Sequence, residues 1–160
     1  MKTESLNLST SGGATTAYVA RPERTSAAAV ILIQEWWGIN DHIRDIAGRY
    51  ANEGYVCVAP DLYRGKIASN SDEASKMMHA LKVDDGMEMI SGALNAAQQA
   101  FQIDQFAITG YCMGGTFALR AACEISELKA AAPFSKSALV IVLKSSLCAR
   151  SRARVVKRPR

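Results

Sequence analysis

The chain has 160 residues, of which 49% are hydrophobic and 21% charged, enough for one domain with its own core and too ordinary in composition for a fibrous or disordered protein. No run reaches the ~18 apolar residues of a membrane span, and Met1-Lys2-Thr3-Glu4 opens without a signal-peptide core, so a cytoplasmic protein is expected. The formal charge of +4 is unevenly spread: residues 135–160 hold eight Lys or Arg and no acid, leaving eleven basic against fifteen acidic residues before them, a charge of −4.

The four cysteines, Cys57, Cys112, Cys123 and Cys148, show no C-x-x-C spacing, which fits reduced thiols rather than a disulfide framework. No His/Cys cluster suggests a metal, and none is expected.

In chain order, Leu6 to Leu8 and Thr15 to Ala20 read as a hairpin around Ser9-Thr10-Ser11-Gly12-Gly13. Ala27 to Ile33 is a near-continuous apolar run with β-branched residues, the pattern of a strand covered on both faces. Gln34-Glu35-Trp36-Trp37-Gly38-Ile39-Asn40 follows it directly, placing a carboxylate where α/β proteins put chemistry. A solvated loop acid and packing tryptophans are the plainer alternatives.

Asp41 to Glu53 reads as a helix capped by Asn40 or Asp41, with Ile43, Ile46, Ala47, Tyr50 and Ala51 as its apolar stripe and Gly54 just past its end. Tyr55 to Ala59 is another buried strand, closed by Pro60-Asp61 and the loop to Lys66. Asn70 to Leu81 suggests a helix capped by Ser71 or Asp72, and Asp84 to Phe101 a longer one with Ile90, Ala93, Leu94, Ala97, Ala100 and Phe101 inward.

Phe106 to Thr109 is strand-like and Thr116 to Cys123 helical, with Gly110-Tyr111-Cys112-Met113-Gly114 between them. This is the strand–turn–helix pattern of a nucleophile elbow with Cys in the Ser position. A nucleophile there needs a sharp turn, predicting positive φ at Cys112. Gly110 and Gly114 would let strand and helix approach. The Met113 N–H would face a developing oxyanion, and the helix N-terminus would favour a Cys112 thiolate. A buried free cysteine before a glycine turn is the alternative. Leu128 to Ala132 is the next strand. The alternation of strands and helices predicts an α/β fold, a mainly parallel twisted sheet with helices on both faces.

Three stretches together, Gln34 to Ile43, Ala59-Pro60-Asp61-Leu62-Tyr63 and Gly110 to Gly115, resemble the dienelactone hydrolase (carboxymethylenebutenolidase) family of α/β-hydrolases, over about Leu6 to Phe134. The resemblance implies hydrolysis of a carboxylic ester or lactone without a cofactor. Cys112 matches the nucleophile and Glu35 the acid that holds and activates the resting thiol. The N–H groups of Met113 and Trp36 match the oxyanion donors, and Arg64 and Lys76 lie in the region that contacts a substrate carboxylate. A small-molecule ester or lactone is the expected partner, with neither nucleic acid nor membrane, and a monomer is the default.

The family places Asp and then His after the nucleophile. Here only Glu124 and Glu127 are acidic after Cys112, and His42 and His79 both precede it. The expected division is therefore 1–134, the N-terminal part of an α/β-hydrolase domain, and 135–160, a basic non-family tail. That tail reads as a shifted reading frame or misjoined coding sequence, with 144–160 disordered. A real strand over 138–143 and a basic arm for nucleic acid are its alternatives. A truncated, catalytically impaired hydrolase is one functional expectation; a non-enzymatic remnant or a thiol-bearing small-molecule binder is the other.

Overall fold

The computed structural model describes residues 1–135, 138–143 and 154–157, with side chains through 134. Strands β1 (Lys2–Thr10), β2 (Gly13–Arg21) and β3 (Ala28–Ile33) lead to α1 (Asp41–Asn52), β4 (Val56–Pro60), α2 (Ser71–Ala80) and α3 (Val83–Phe101). Then come β5 (Gln105–Tyr111), α4 (Met113–Glu124), β6 (Leu128–Ser135), β7 (Ala138–Leu143) and β8 (Arg154–Lys157). All form one sheet in the order β1-β2-β4-β3-β5-β6-β7-β8.

The four strands at its centre, β4-β3-β5-β6, are mutually parallel, as the alternation with helices predicts. The flanks are antiparallel: β1 on β2, β2 on β4, β6 on β7 and β7 on β8. The sheet is thus mixed.

Period-2 alternation splits the core into two layers. Val19, Ile31, Ile33, Val56 and Val58 point to one face, where α3 and α4 bring Ile90, Leu94, Phe117 and Ala121. Ala20, Leu32, Cys57 and Ala59 point to the other, covered by Ile43, Ile46, Ala47 and Ala51 of α1. This two-sided burial is why β3 and β4 read as unbroken apolar runs. Among the described residues no helix is long and apolar enough to cross a membrane.

Several boundaries differ from those expected. The first two strands are longer, because their ladder pairs Lys2 with Arg21 through to Thr10 with Gly13. Backbone pairing extends past the apolar residues that mark a strand in sequence. Helix α2 is capped by Asn70 rather than Ser71 or Asp72, since the Asn70 carboxamide accepts from the Glu73 N–H at 2.9 Å. Asn40 caps α1, accepting from Ile43 N–H at 3.1 Å, and Gly54 follows that helix at φ +95. In the basic segment, β7 matches the strand alternative over 138–143, and β8 corrects the disorder expected over 144–160, since Arg154 to Lys157 pair antiparallel with Leu143 to Val140. Residues 144–153 and 158–160 lie outside the described residues.

Candidate active site

β3 and β5 are neighbouring parallel strands in a register that pairs Ile33 with Gly110. Glu35 and Cys112 each lie two residues beyond that pair. They therefore leave the sheet at the same edge from adjacent strands, the backbone placement expected for the candidate acid and candidate nucleophile. Glu35 is half-buried and Cys112 exposed.

Cys112 has φ 54 and ψ −116, a conformation that side chains with a Cβ rarely take. It is the N-cap residue of α4 but makes no side-chain cap hydrogen bond, so its sulfur is not spent on the helix. The turn is held from outside instead. The Cys112 N–H donates to the Phe134 carbonyl at 2.8 Å, and the Cys112 carbonyl accepts from the Gly115 N–H at 3.0 Å. The Tyr111 ring stacks on Phe134 with centroids 4.9 Å apart.

Glycine is required three times here. A Cβ on Gly110 would lie inside the Gly114 backbone. One on Gly114 would fall 2.5 Å from the carbonyl oxygens of Ile33 and Gln34, and one on Gly115 would fall 2.6 Å from that of Phe134. The first turn of α4 is thus seated directly on the end of β3, next to Glu35.

Met113 opens α4, and a first-turn N–H has no acceptor within its own helix. Among the described residues neither the Met113 N–H nor that of Trp36 has a protein hydrogen-bond acceptor. Both candidate oxyanion donors are therefore open with respect to the described residues. The segment carrying Trp36 is clamped nearby. The Trp37 carbonyl accepts from Ala68 N–H at 3.0 Å, Gly38 at φ +98 leaves only 2.6 Å between a Cβ and the Lys66 carbonyl, and the two indoles meet edge to face at 5.3 Å.

Arg64 and Lys76 are not brought to the elbow by any contact among the described residues. The Arg64 guanidinium is spent on the β1–β2 turn, donating to the carbonyls of Gly13 (2.8 Å) and Ala14 (3.0 Å) and to Thr10 Oγ1 (3.1 Å). Lys76 is exposed on α2. A cavity of about 200 Å³ opens beside Tyr63 and is lined also by Arg64, Lys66, Met77, Leu81 and Lys82; Cys112 and Glu35 are not in its wall.

The two histidines are exposed, His42 in the first turn of α1 and His79 near the end of α2, with His79 Nδ1 2.7 Å from the Ser75 carbonyl. Neither hydrogen-bonds a candidate site residue among those described. No group of three His, Cys, Asp or Glu among the described residues could hold a metal ion.

Sequence reasoning missed Tyr63 and Gln34. The Tyr63 hydroxyl donates to Met113 Sδ at 3.4 Å. Gln34 is fully buried; its Oε1 accepts from Leu62 N–H at 3.2 Å, while Nε2 has no partner among the described residues. Both lie inside stretches that carry the family resemblance, but nothing in a linear pattern pairs residues 28 or 50 positions apart.

A profile of the dienelactone hydrolase family matches residues 15–145, past the boundary at 134 drawn from composition. The protein usf of Aquifex pyrophilus is 33% identical over 127 residues, 73% of this chain and 54% of that protein. Carboxymethylenebutenolidase 1 of Cupriavidus pinatubonensis is 31% identical over 120 residues, 69% of this chain and 51% of that protein. A solved structure titled m3DLH superposes with a TM-score of 0.73 at 26% identity, covering 81% of this chain and 57% of its own. The chain thus spans about half the length of the curated relatives it matches.

Proposed function

Because this chain belongs to the dienelactone hydrolase family, as the match over residues 15–145 shows, we propose that it carries the nucleophile half of a hydrolase acting on a carboxylic ester or lactone. The observation that supports this best is the backbone of Cys112, strained at φ 54, with its thiol free of cap bonds at the mouth of the sheet. Strain of this kind is retained where a surrounding structure holds it for use.

In the proposed reaction Glu35 takes the thiol proton and Cys112 Sγ attacks the substrate carbonyl carbon. The oxygen becomes an oxyanion that accepts hydrogen bonds from the N–H groups of Met113 and Trp36. The intermediate collapses, the alcohol oxygen leaves with its electron pair and takes the proton back from Glu35, and an acyl-thioester remains on Cys112. Water then cleaves the thioester. That last step gains most from a general base, and these 160 residues contain no histidine after Cys112. We therefore read the chain by itself as competent in acylation and impaired in deacylation. Arg64 and Lys76 as contacts for a substrate carboxylate rest on their sequence position.

The test is mass spectrometry of the purified chain after exposure to p-nitrophenyl acetate, an activated ester. The expected result is one acetyl group, on Cys112, and none on a Cys112→Ala chain. Acetylation elsewhere with Cys112 untouched would remove the assignment.

A further inference from the structure

The end of β3 and the Cys112 elbow are joined by a third segment, residues 61–65. Asp61 is 8% exposed and spends both carboxylate oxygens inside the segment, Oδ1 accepting from Tyr63 N–H at 2.9 Å and Oδ2 from Gly65 N–H at 2.7 Å. Its backbone is tied to β2 as well: its N–H donates to the Thr16 carbonyl at 2.8 Å, and its carbonyl accepts from Thr15 Oγ1 at 2.7 Å. Leu62 N–H is held by Gln34, the residue immediately before Glu35. A loop whose N–H donors find protein acceptors in this way is a rigid mount, not a flexible flap.

The mounted side chain is Tyr63, 7% exposed, and its hydroxyl ends on Met113 Sδ. A thioether is among the weakest acceptors a protein offers, so little stability is gained by burying a hydroxyl against it. What the contact does is join loop 61–65 to the first residue of α4. The phenol keeps its proton at any ordinary pH, because burial and then the charge on Cys112 raise its pKa from 10.0 to about 12.

We infer that Tyr63 is a positioning residue of this site, holding Met113 through its hydroxyl so that the Met113 N–H meets the substrate oxyanion; the inference rests on the reading of Cys112 as nucleophile. The chain of contacts runs from Glu35's neighbour Gln34, through Leu62 and Tyr63, to Met113 beside Cys112. Acid, oxyanion donor and nucleophile are thereby set against one another by a single buried loop.

Two reactions at the same sulfur separate this role from mere packing. Acetylation by p-nitrophenyl acetate develops charge on a carbonyl oxygen; alkylation by iodoacetamide does not. Tyr63→Phe keeps the ring and removes the hydroxyl. It is expected to slow acetylation of Cys112 roughly tenfold, since small displacements of a catalytic donor are costly, while the alkylation rate and Tm stay as in the parent chain. Met113→Leu, which removes the sulfur and keeps the N–H, is expected to show the same selective loss, with no further loss in the double variant. Equal slowing of both reactions, or acetylation at the parent rate in Tyr63→Phe, would overturn the positioning role while leaving Cys112 as nucleophile. A parent chain that is alkylated but never acetylated at Cys112 would sink the nucleophile reading itself, and this inference with it.

Discussion

At the scale of single residues the molecule is most unusual at Cys112. A non-glycine residue at φ 54 and ψ −116 costs about 1–3 kcal/mol. It is tolerated because the Phe134 carbonyl, the Gly115 N–H and three close glycine contacts define the turn from all sides. Cys112→Gly should therefore raise stability in urea unfolding by about 1 kcal/mol, after the entropy of a glycine in the unfolded chain is subtracted. Cys112→Ala, which keeps the Cβ, should not. If both variants are equally stable, the strain is not there. The other described cysteines differ in kind: Cys57 is buried and burial drives its thiol pKa upward, whereas Cys123 is exposed on α4.

At the scale of elements, glycine has opposite meanings in two helices. Gly114, in the first turn of α4, sits against the backbone carbonyls of Ile33 and Gln34, which cannot move without shifting β3. Gly114→Ala should destabilise the fold by about 1–3 kcal/mol through overpacking. It should also slow Cys112 acetylation, because the turn that relaxes is the one that bears Met113. Gly92 lies within α3, where an added Cβ would meet nothing within 4 Å. Gly92→Ala should stabilise by about 0.5–1 kcal/mol, the ordinary gain of alanine over glycine in a helix. The sign of the pair, read from thermal or denaturant unfolding, checks whether α4 is pinned to β3 as tightly as described.

At the scale of the whole molecule, the parallel core places Glu35, Trp36, Cys112 and Met113 at one edge, while the chain spans about half the length of the relatives it matches. The acylation proposed above draws on that edge only. Deacylation normally gains ~10²–10⁴-fold from a positioned base. A time course with p-nitrophenyl acetate should therefore show one equivalent of p-nitrophenol released quickly, abolished in Cys112→Ala, followed by little steady turnover. Sustained turnover lost in His79→Ala would identify a base that the described contacts do not connect to Cys112.

Much of this was written locally. The two-sided apolar runs of β3 and β4, the stripe of α1 and the Gly-x-Cys-x-Gly turn each depend on residues within one or two turns of chain, so element order and the elbow were legible as far as β6. Positive φ at Cys112 and the need for Gly110 and Gly114 were legible for the same reason: a strand that turns sharply into a helix admits few other residues. The family match ends at residue 145, ahead of six of the eight basic residues that follow 134. Only the tertiary structure decided that β2 joins β4 antiparallel, that Arg64 is occupied by the hairpin and that Tyr63 reaches Met113. Those are contacts between residues far apart in the chain. Side-chain period records which face a residue takes, but it carries no record of which distant partner waits on that face.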